Sequence, residues 1–123
     1  MLEVYGTLVK IARAEYKQII VKSEIIHKRT VGSAKLRLHL KNCSFLDIWL
    51  SATGKYSYHW EARGQSGKIY RHDNAPDFPN LSTFPKHLHN GDEKTVQPSM
   101  LSDKPTKANR EILEHIKSTL LDS

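Results

Sequence analysis

Two histidines one residue apart, His87 and His89, follow Phe84-Pro85-Lys86 in a stretch rich in proline. In an extended backbone, residues i and i+2 project to the same side, so both imidazoles face one way. That pairing suits two chemistries. An imidazole with a pKa near 6.5 populates both protonation states around neutrality and can act as general base or general acid. Cleaving RNA through its 2′-hydroxyl needs both roles, one group to take the hydroxyl proton and one to protonate the departing 5′-oxygen. The same nitrogens can instead ligate a divalent metal. Ordinary surface histidines would show the same spacing.

Upstream, Arg71-His72-Asp73-Asn74 ends a strand-like run and enters the same stretch. Asp73 can orient an imidazole by accepting its second N–H, or complete a metal ligand set with His87 and His89. Arg71 can stabilise the charge of a pentacoordinate phosphate through its planar fork. Asp73-Asn74 also reads as a plain turn. His59 alternates with Glu61 on the polar side of Tyr56-Ser57-Tyr58-His59-Trp60-Glu61 and is a further acid–base candidate, or one half of a surface His–Glu pair. Gly91-Asp92-Glu93 reads as a turn, with metal binding by the two acids as the alternative.

Binding chemistry is suggested by Ala34-Lys35-Leu36-Arg37-Leu38-His39-Leu40-Lys41, which alternates strictly. Lys35, Arg37, His39 and Lys41 share one strand face, spaced roughly 6.5–7 Å apart, close to the phosphate repeat of a nucleic-acid strand. With Lys86 they form the candidate RNA-binding set. A solvated face that discourages edge association is the alternative. The net charge of +6 and pI of about 9.5 favour a polyanionic partner, either nucleic acid or an acidic protein.

Other chemistries find no support. There is no phosphate-cradling glycine loop, no Gly-x-Ser-x-Gly elbow and no pair of Cys-x-x-Cys motifs, and no cofactor is expected. Cys43 is the only cysteine, so no internal disulfide forms, and it is expected as a half-buried thiol at a turn. The start of the chain lacks a signal-peptide pattern and no apolar run reaches the roughly 20 residues of a membrane span, so a cytoplasmic protein is expected.

The elements that must position these groups follow from periodicity. Leu2, Tyr5, Leu8, Val9, Ala12 and Tyr16 recur at helical spacing, predicting a helix from Leu2 to about Tyr16. Strands are expected from Gln18 to about Arg29, over 34–41, over 45–51, over 56–61 and over 68–72, with turns at Val31-Gly32-Ser33, Asn42-Cys43-Ser44, Thr53-Gly54-Lys55 and 64–67. Pro105 opens a final helix to about Leu121, with Ile112, Leu113, Ile116 and Leu120 as its stripe. All five prolines fall between Asp73 and that helix, predicting a long ordered loop over about 73–104. The expected architecture is one α+β domain, 1–123: an antiparallel meander of about five strands with both helices on its apolar face.

The runs 56–61, 70–76 and 81–89, with Gly91 and Glu93, resemble the TumE-type toxins of bacterial and archaeal toxin–antitoxin modules. The signature is an aspartate–asparagine pair after a strand, then His-x-His, a glycine and a glutamate, at Asp73, Asn74, His87, His89, Gly91 and Glu93. The resemblance covers most of the chain. It implies a growth-inhibiting toxin with ribonuclease activity, encoded beside a helix-turn-helix antitoxin of the TumA type. Lys86 and Asp77 stand where members of this branch often carry histidine, which weakens any larger histidine cluster. The first expectation is therefore a metal-independent endoribonuclease that uses His87, His89 and His59, with Arg71 on the phosphate and Asp73 orienting an imidazole, leaving a 2′,3′-cyclic phosphate. A metal-dependent nuclease with His87, His89 and Asp73 as ligands, a non-catalytic binder of RNA, DNA or ribosome, and a domain that only docks an acidic antitoxin are the alternatives. A homodimer is left open.

Overall fold

The computed structural model describes residues 1–27 and 33–121. The chain runs α1 (Leu2–Glu15), β1 (Ile20–His27), β2 (Ala34–Leu40), β3 (Phe45–Leu50), β4 (Tyr56–Ala62), α2 (Arg63–Ser66), β5 (Lys68–Asp73), β6 (His87–Gly91), β7 (Val96–Pro98) and α3 (Pro105–Leu121). Among the described residues, seven strands form one antiparallel sheet in sequence order. The expected end of the first strand at Lys28 and Arg29, and the turn residues Val31 and Gly32, lie outside the described residues.

The sheet has seven strands rather than about five, because the proline-bearing segment is not one loop. It contributes β6, which pairs with β5 from His87↔Asp73 to Gly91↔Ile69, and the short β7. Pro98 is tolerated there because β7 ends the strand order, where an outward N–H has no partner to lose. What remains as connection is 74–86 and 99–104. The turn expected over 64–67 is the one-turn helix α2, Arg63–Ser66, closed by Gly67 at φ 78°.

Alternation assigns the two sheet faces. Leu36, Leu38, Leu40, Leu46, Ile48, Tyr58 and Trp60 are buried on the inner face. Over them pack Tyr5, Leu8 and Ala12 of α1 and Ile112, Leu113 and Ile116 of α3, so both helices cover the apolar side as their stripes require. Tyr5 fastens α1 to the sheet: its hydroxyl donates to the Ala34 carbonyl (2.8 Å) and accepts the Leu50 N–H (2.9 Å). Burial pushes that phenol's pKa up. Cys43 sits at its turn with φ 70° and is exposed, not half-buried. No helix among the described residues is long and apolar enough to cross a membrane.

Candidate functional site: a histidine–carboxylate cluster on the outer sheet face

The antiparallel register of β4, β5 and β6 sets His59 opposite Arg71 and Arg71 opposite His89, while Ser57 faces Asp73 and Asp73 faces His87. Directly opposed residues project to the same face. The outer face therefore carries a cross-strand row, His59–Arg71–His89, and beside it Asp73 and His87. Strand pairing, rather than a folded-back loop, brings the histidine pair to the end of β5.

The connection 74–86 then covers part of this row. The ring of Phe78 stands edge-on, 4.7 Å from His87 and 5.9 Å from His89. Both histidines are buried, His87 to 1% exposure and His89 to 6%. His87, expected to meet RNA directly, is sealed; His89 lines an outer hollow with Arg71, Asp73, Trp49 and Phe78.

Hydrogen bonds fix the tautomers of both rings. His87 Nδ1 donates to the Pro85 carbonyl (3.0 Å), and His89 Nδ1 donates to the Glu93 carbonyl (2.9 Å). A carbonyl only accepts, so each Nδ1 carries a hydrogen and each ring turns its Nε2 inward. Both Nε2 atoms face Asp73, at 3.0 Å from Oδ1 for His87 and 3.9 Å from Oδ2 for His89. The His87 contact has the distance of a hydrogen bond but not its alignment, which leaves that buried nitrogen unsatisfied. Asp73 itself is held by the Ala75 N–H on Oδ1 (3.0 Å) and by Arg71 Nε on Oδ2 (3.2 Å).

Arg71 is the hub. Its terminal nitrogens bind Glu93 through two bonds of 2.9 and 2.7 Å, and Nη1 lies 3.4 Å from His59 Nδ1. The guanidinium hydrogen bonds hold the Glu93 carboxyl below the usual carboxylate range, and the Arg71 pKa rises in turn. Because Arg71 can only donate, His59 accepts at Nδ1 and presents its Nε2 hydrogen to Glu61 (3.2 Å). Glu61 is drawn down to about 2, first by its bonds from Arg63.

The candidate RNA-binding residues are distributed differently from their sequence pattern. Lys35 (2.7 Å) and Arg37 (2.7 and 2.9 Å) both bond Asp47, and Arg37 lies 3.9 Å over the Phe45 ring. His39 pairs with Glu24 at 2.6 Å. Three of the four stripe residues thus meet carboxylates of neighbouring strands. Lys41 is exposed in the turn after β2. Lys86 bonds the Leu101 carbonyl and lies 3.4 Å from Asp103, away from the histidine cluster. Lys35 and Arg37 do border a shallow hollow floored by Trp49, Ser57, His59 and Arg71, and it shares Trp49, Ser57 and Arg71 with the hollow at His89.

Asp73 and Asn74, adjacent in sequence, do separate work. Asn74 turns to the β3–β4 hairpin, accepting the Tyr56 N–H (3.0 Å) and donating to the Gly54 carbonyl (2.9 Å). Asp92 caps its turn through the N–H groups of Lys94 and Thr95, as expected, whereas Glu93 reaches across to Arg71. Asp47 and Phe78 are site groups that motif reading missed, and the bond from Arg71 to Glu93 was not foreseen. Only Glu93 left a signal, as the last position of the resemblance.

The fold and the site define a small α+β protein with a histidine–carboxylate cluster on the outer face of its antiparallel sheet, and the comparisons supply the family. The family model described as Toxin TumE matches residues 9–120, so this chain belongs to the TumE toxin family, the toxin component of a toxin–antitoxin system. No curated protein and no solved structure matches the chain. As a toxin of such a system it has an antitoxin partner.

Proposed function

We propose that this toxin inhibits growth by cleaving RNA, with a backbone phosphate seated on Arg71 at the centre of the outer sheet face. The observation that carries the reading is the straight row His59–Arg71–His89 across three strands. Neighbouring strands lie about 4.8 Å apart, so the residues flanking Arg71 stand about 10 Å from each other, with room for a phosphate between them. His59, half-buried and the more open of the row's two imidazoles, moves a proton at the 2′-hydroxyl or the departing 5′-oxygen, and solvent water serves the other of the two. The Asp73–His87–His89 cluster forms the other wall. Glu93 occupies the Arg71 fork as a phosphate would, and an incoming phosphate exchanges with it. The flanking hollow at Lys35, Arg37 and Trp49 leads the strand to the centre, offering cations and an aromatic ring. The restraining partner is a helix-turn-helix antitoxin of the TumA type.

The test is cleavage of a labelled RNA compared with the same strand carrying a 2′-deoxy sugar at the cut position. New ends bearing a 2′,3′-cyclic phosphate, absent from the deoxy strand, are expected. Salt-sensitive binding with no new ends would instead make the chain an occupancy inhibitor and end the nuclease reading.

A further inference from the structure

We propose that Asp73, His87 and His89 hold a divalent transition-metal ion. Their ligand atoms lie within 4.8 Å of one another. Each ring spends its Nδ1 hydrogen on a backbone carbonyl, Pro85 for His87 and Glu93 for His89, and turns Nε2 to the same carboxylate. That is the outer-shell arrangement that orients metal-bound histidines and fixes their tautomer.

The unsatisfied nitrogen is the second observation. His87 Nε2 is fully buried, faces Asp73 Oδ1 at 3.0 Å and makes no hydrogen bond. An orphaned buried polar atom ordinarily costs about 1–3 kcal/mol, so native structures rarely keep one without a use. A cation between the three residues satisfies His87, His89 and Asp73 together. In a tetrahedral site with bonds of 2.0–2.2 Å, ligand atoms stand about 3.4 Å apart. The separations of 3.0 Å from His87 to Asp73 Oδ1 and 3.9 Å from His89 to Oδ2 lie on either side of that value, and no two of the three ligand atoms are more than 4.8 Å apart, so side-chain rotation about an ion closes the site.

Two imidazoles and one carboxylate suit zinc, cobalt, manganese or iron(II) better than magnesium or calcium, which prefer all-oxygen cages. Three protein ligands leave a fourth position open, as in metal sites that bind water or substrate. Asp73 and His89 both line the hollow that holds Arg71, so that position adjoins the proposed phosphate seat. Charge follows the same direction. Asp73 and Glu93 against Arg71 leave one net negative charge, which a divalent ion turns into one net positive charge facing an anionic substrate. The imidazole of His89 then serves as ligand, and the proton work at the phosphate stays with His59. The ion's presence does not depend on RNA cleavage, so its test reads the metal itself.

Tag-free full-length protein is stripped with EDTA, dialysed and titrated with Zn²⁺ by calorimetry and with Co²⁺ by visible absorption. One ion per chain is expected, with the strong visible band of four-coordinate cobalt and a raised melting temperature. His87→Gln and His89→Gln should each weaken Zn²⁺ binding by about 100-fold or more, since even outer-shell losses cost about 10–100-fold. Far-ultraviolet dichroism checks folding; should His87→Gln unfold, His89→Gln at the hollow's wall carries the test. No binding by the folded wild type, or unchanged affinity in folded His89→Gln, overturns the proposal. In that case the cluster is an imidazole–carboxylate contact and nothing more.

Discussion

On β2 and its neighbours, Lys35 and Arg37 share Asp47 of β3, and His39 meets Glu24 of β1, so each of the three has a carboxylate partner. On β5 and β6 the same residue types, Arg71, Asp73, His87 and His89, leave a buried ring nitrogen unsatisfied and hold a carboxylate between two histidines. Both groups occupy one face of one sheet. The first is a charge-matched surface, where ion pairs contribute little and vary with salt. The second keeps polar groups buried without full satisfaction, a cost that folding alone does not require. On the proposed function, the densest run of cations in the sequence flanks the reaction centre and does not form it.

Equivalent residues in the two halves give the sharpest ways to break that contrast. His59→Ala should slow RNA cleavage by about 10²–10⁴-fold, whereas His39→Ala, which loses only its Glu24 partner, should stay within a fewfold; single-turnover rates on one RNA decide it. Similar losses in both would erase the distinction.

His72, the histidine of β5 itself, tests the same strand from its inner side. Burial, followed by repulsion from His115, pushes the His72 pKa down to about 4, and its Nδ1 lies 2.8 Å from Ser99 Oγ. The unfolded chain binds this proton near pH 6.5 and the folded chain does not. The stability tied to neutral His72 is therefore complete above pH 6.5 and lost as pH falls from 6.5 to 4, by roughly 3 kcal/mol. Urea denaturation at pH 7 and pH 4.5 should show the loss, and His72→Asn should flatten it. An unchanged slope in that variant would remove His72 as the cause.

Asp47→Asn should cost about 2 kcal/mol of stability with activity nearly intact, because charged hydrogen bonds contribute about 1.5–3 kcal/mol. For Asp47, burial raises the pKa, but bonds from Arg37 and Lys35 outweigh it and lower the net value. Asp73→Asn should show the reverse, with activity lost and melting temperature little changed; equilibrium unfolding beside cleavage rates separates the two. The smallest effect is expected for Glu93→Gln. Loosening the Arg71 fork should tighten RNA binding about two- to fivefold, the scale of a partly exposed ion pair, as fluorescence anisotropy would register; weaker binding would mean that Glu93 helps to hold RNA.

Much of the scaffold is legible from local pattern. Leu36, Leu38 and Leu40 alternate so strictly, and Ile112, Leu113 and Ile116 recur so regularly, that β2 and α3 follow from periodicity alone. β6 and β7 do not. His87-Leu88-His89-Asn90-Gly91 offers one aliphatic residue, and Val96-Gln97-Pro98 is short and ends in proline, so neither has the apolar signature of a strand. The pairing of Arg71, Asp73, His87 and His89 was approachable because motif and resemblance agree on these positions. The neutralisation of Lys35 and Arg37 was not, since Asp47 meets them only through the register of β2 on β3. Phe78 gives no spacing cue, because its place over the histidines depends on the path of 74–86.

The two arginines of the outer face put the central claim to the most direct test: single-turnover cleavage of one RNA by Arg71→Ala and Arg37→Ala, each with its melting temperature measured. Arg71→Ala is expected to lose about 10²–10³-fold in rate, the scale of removing a donor from a developing anion, while Arg37→Ala retains wild-type chemistry with a modestly raised KM. Equal rates for folded Arg71→Ala and wild type, or a collapse confined to Arg37→Ala, would contradict a reaction centre on β5 and β6.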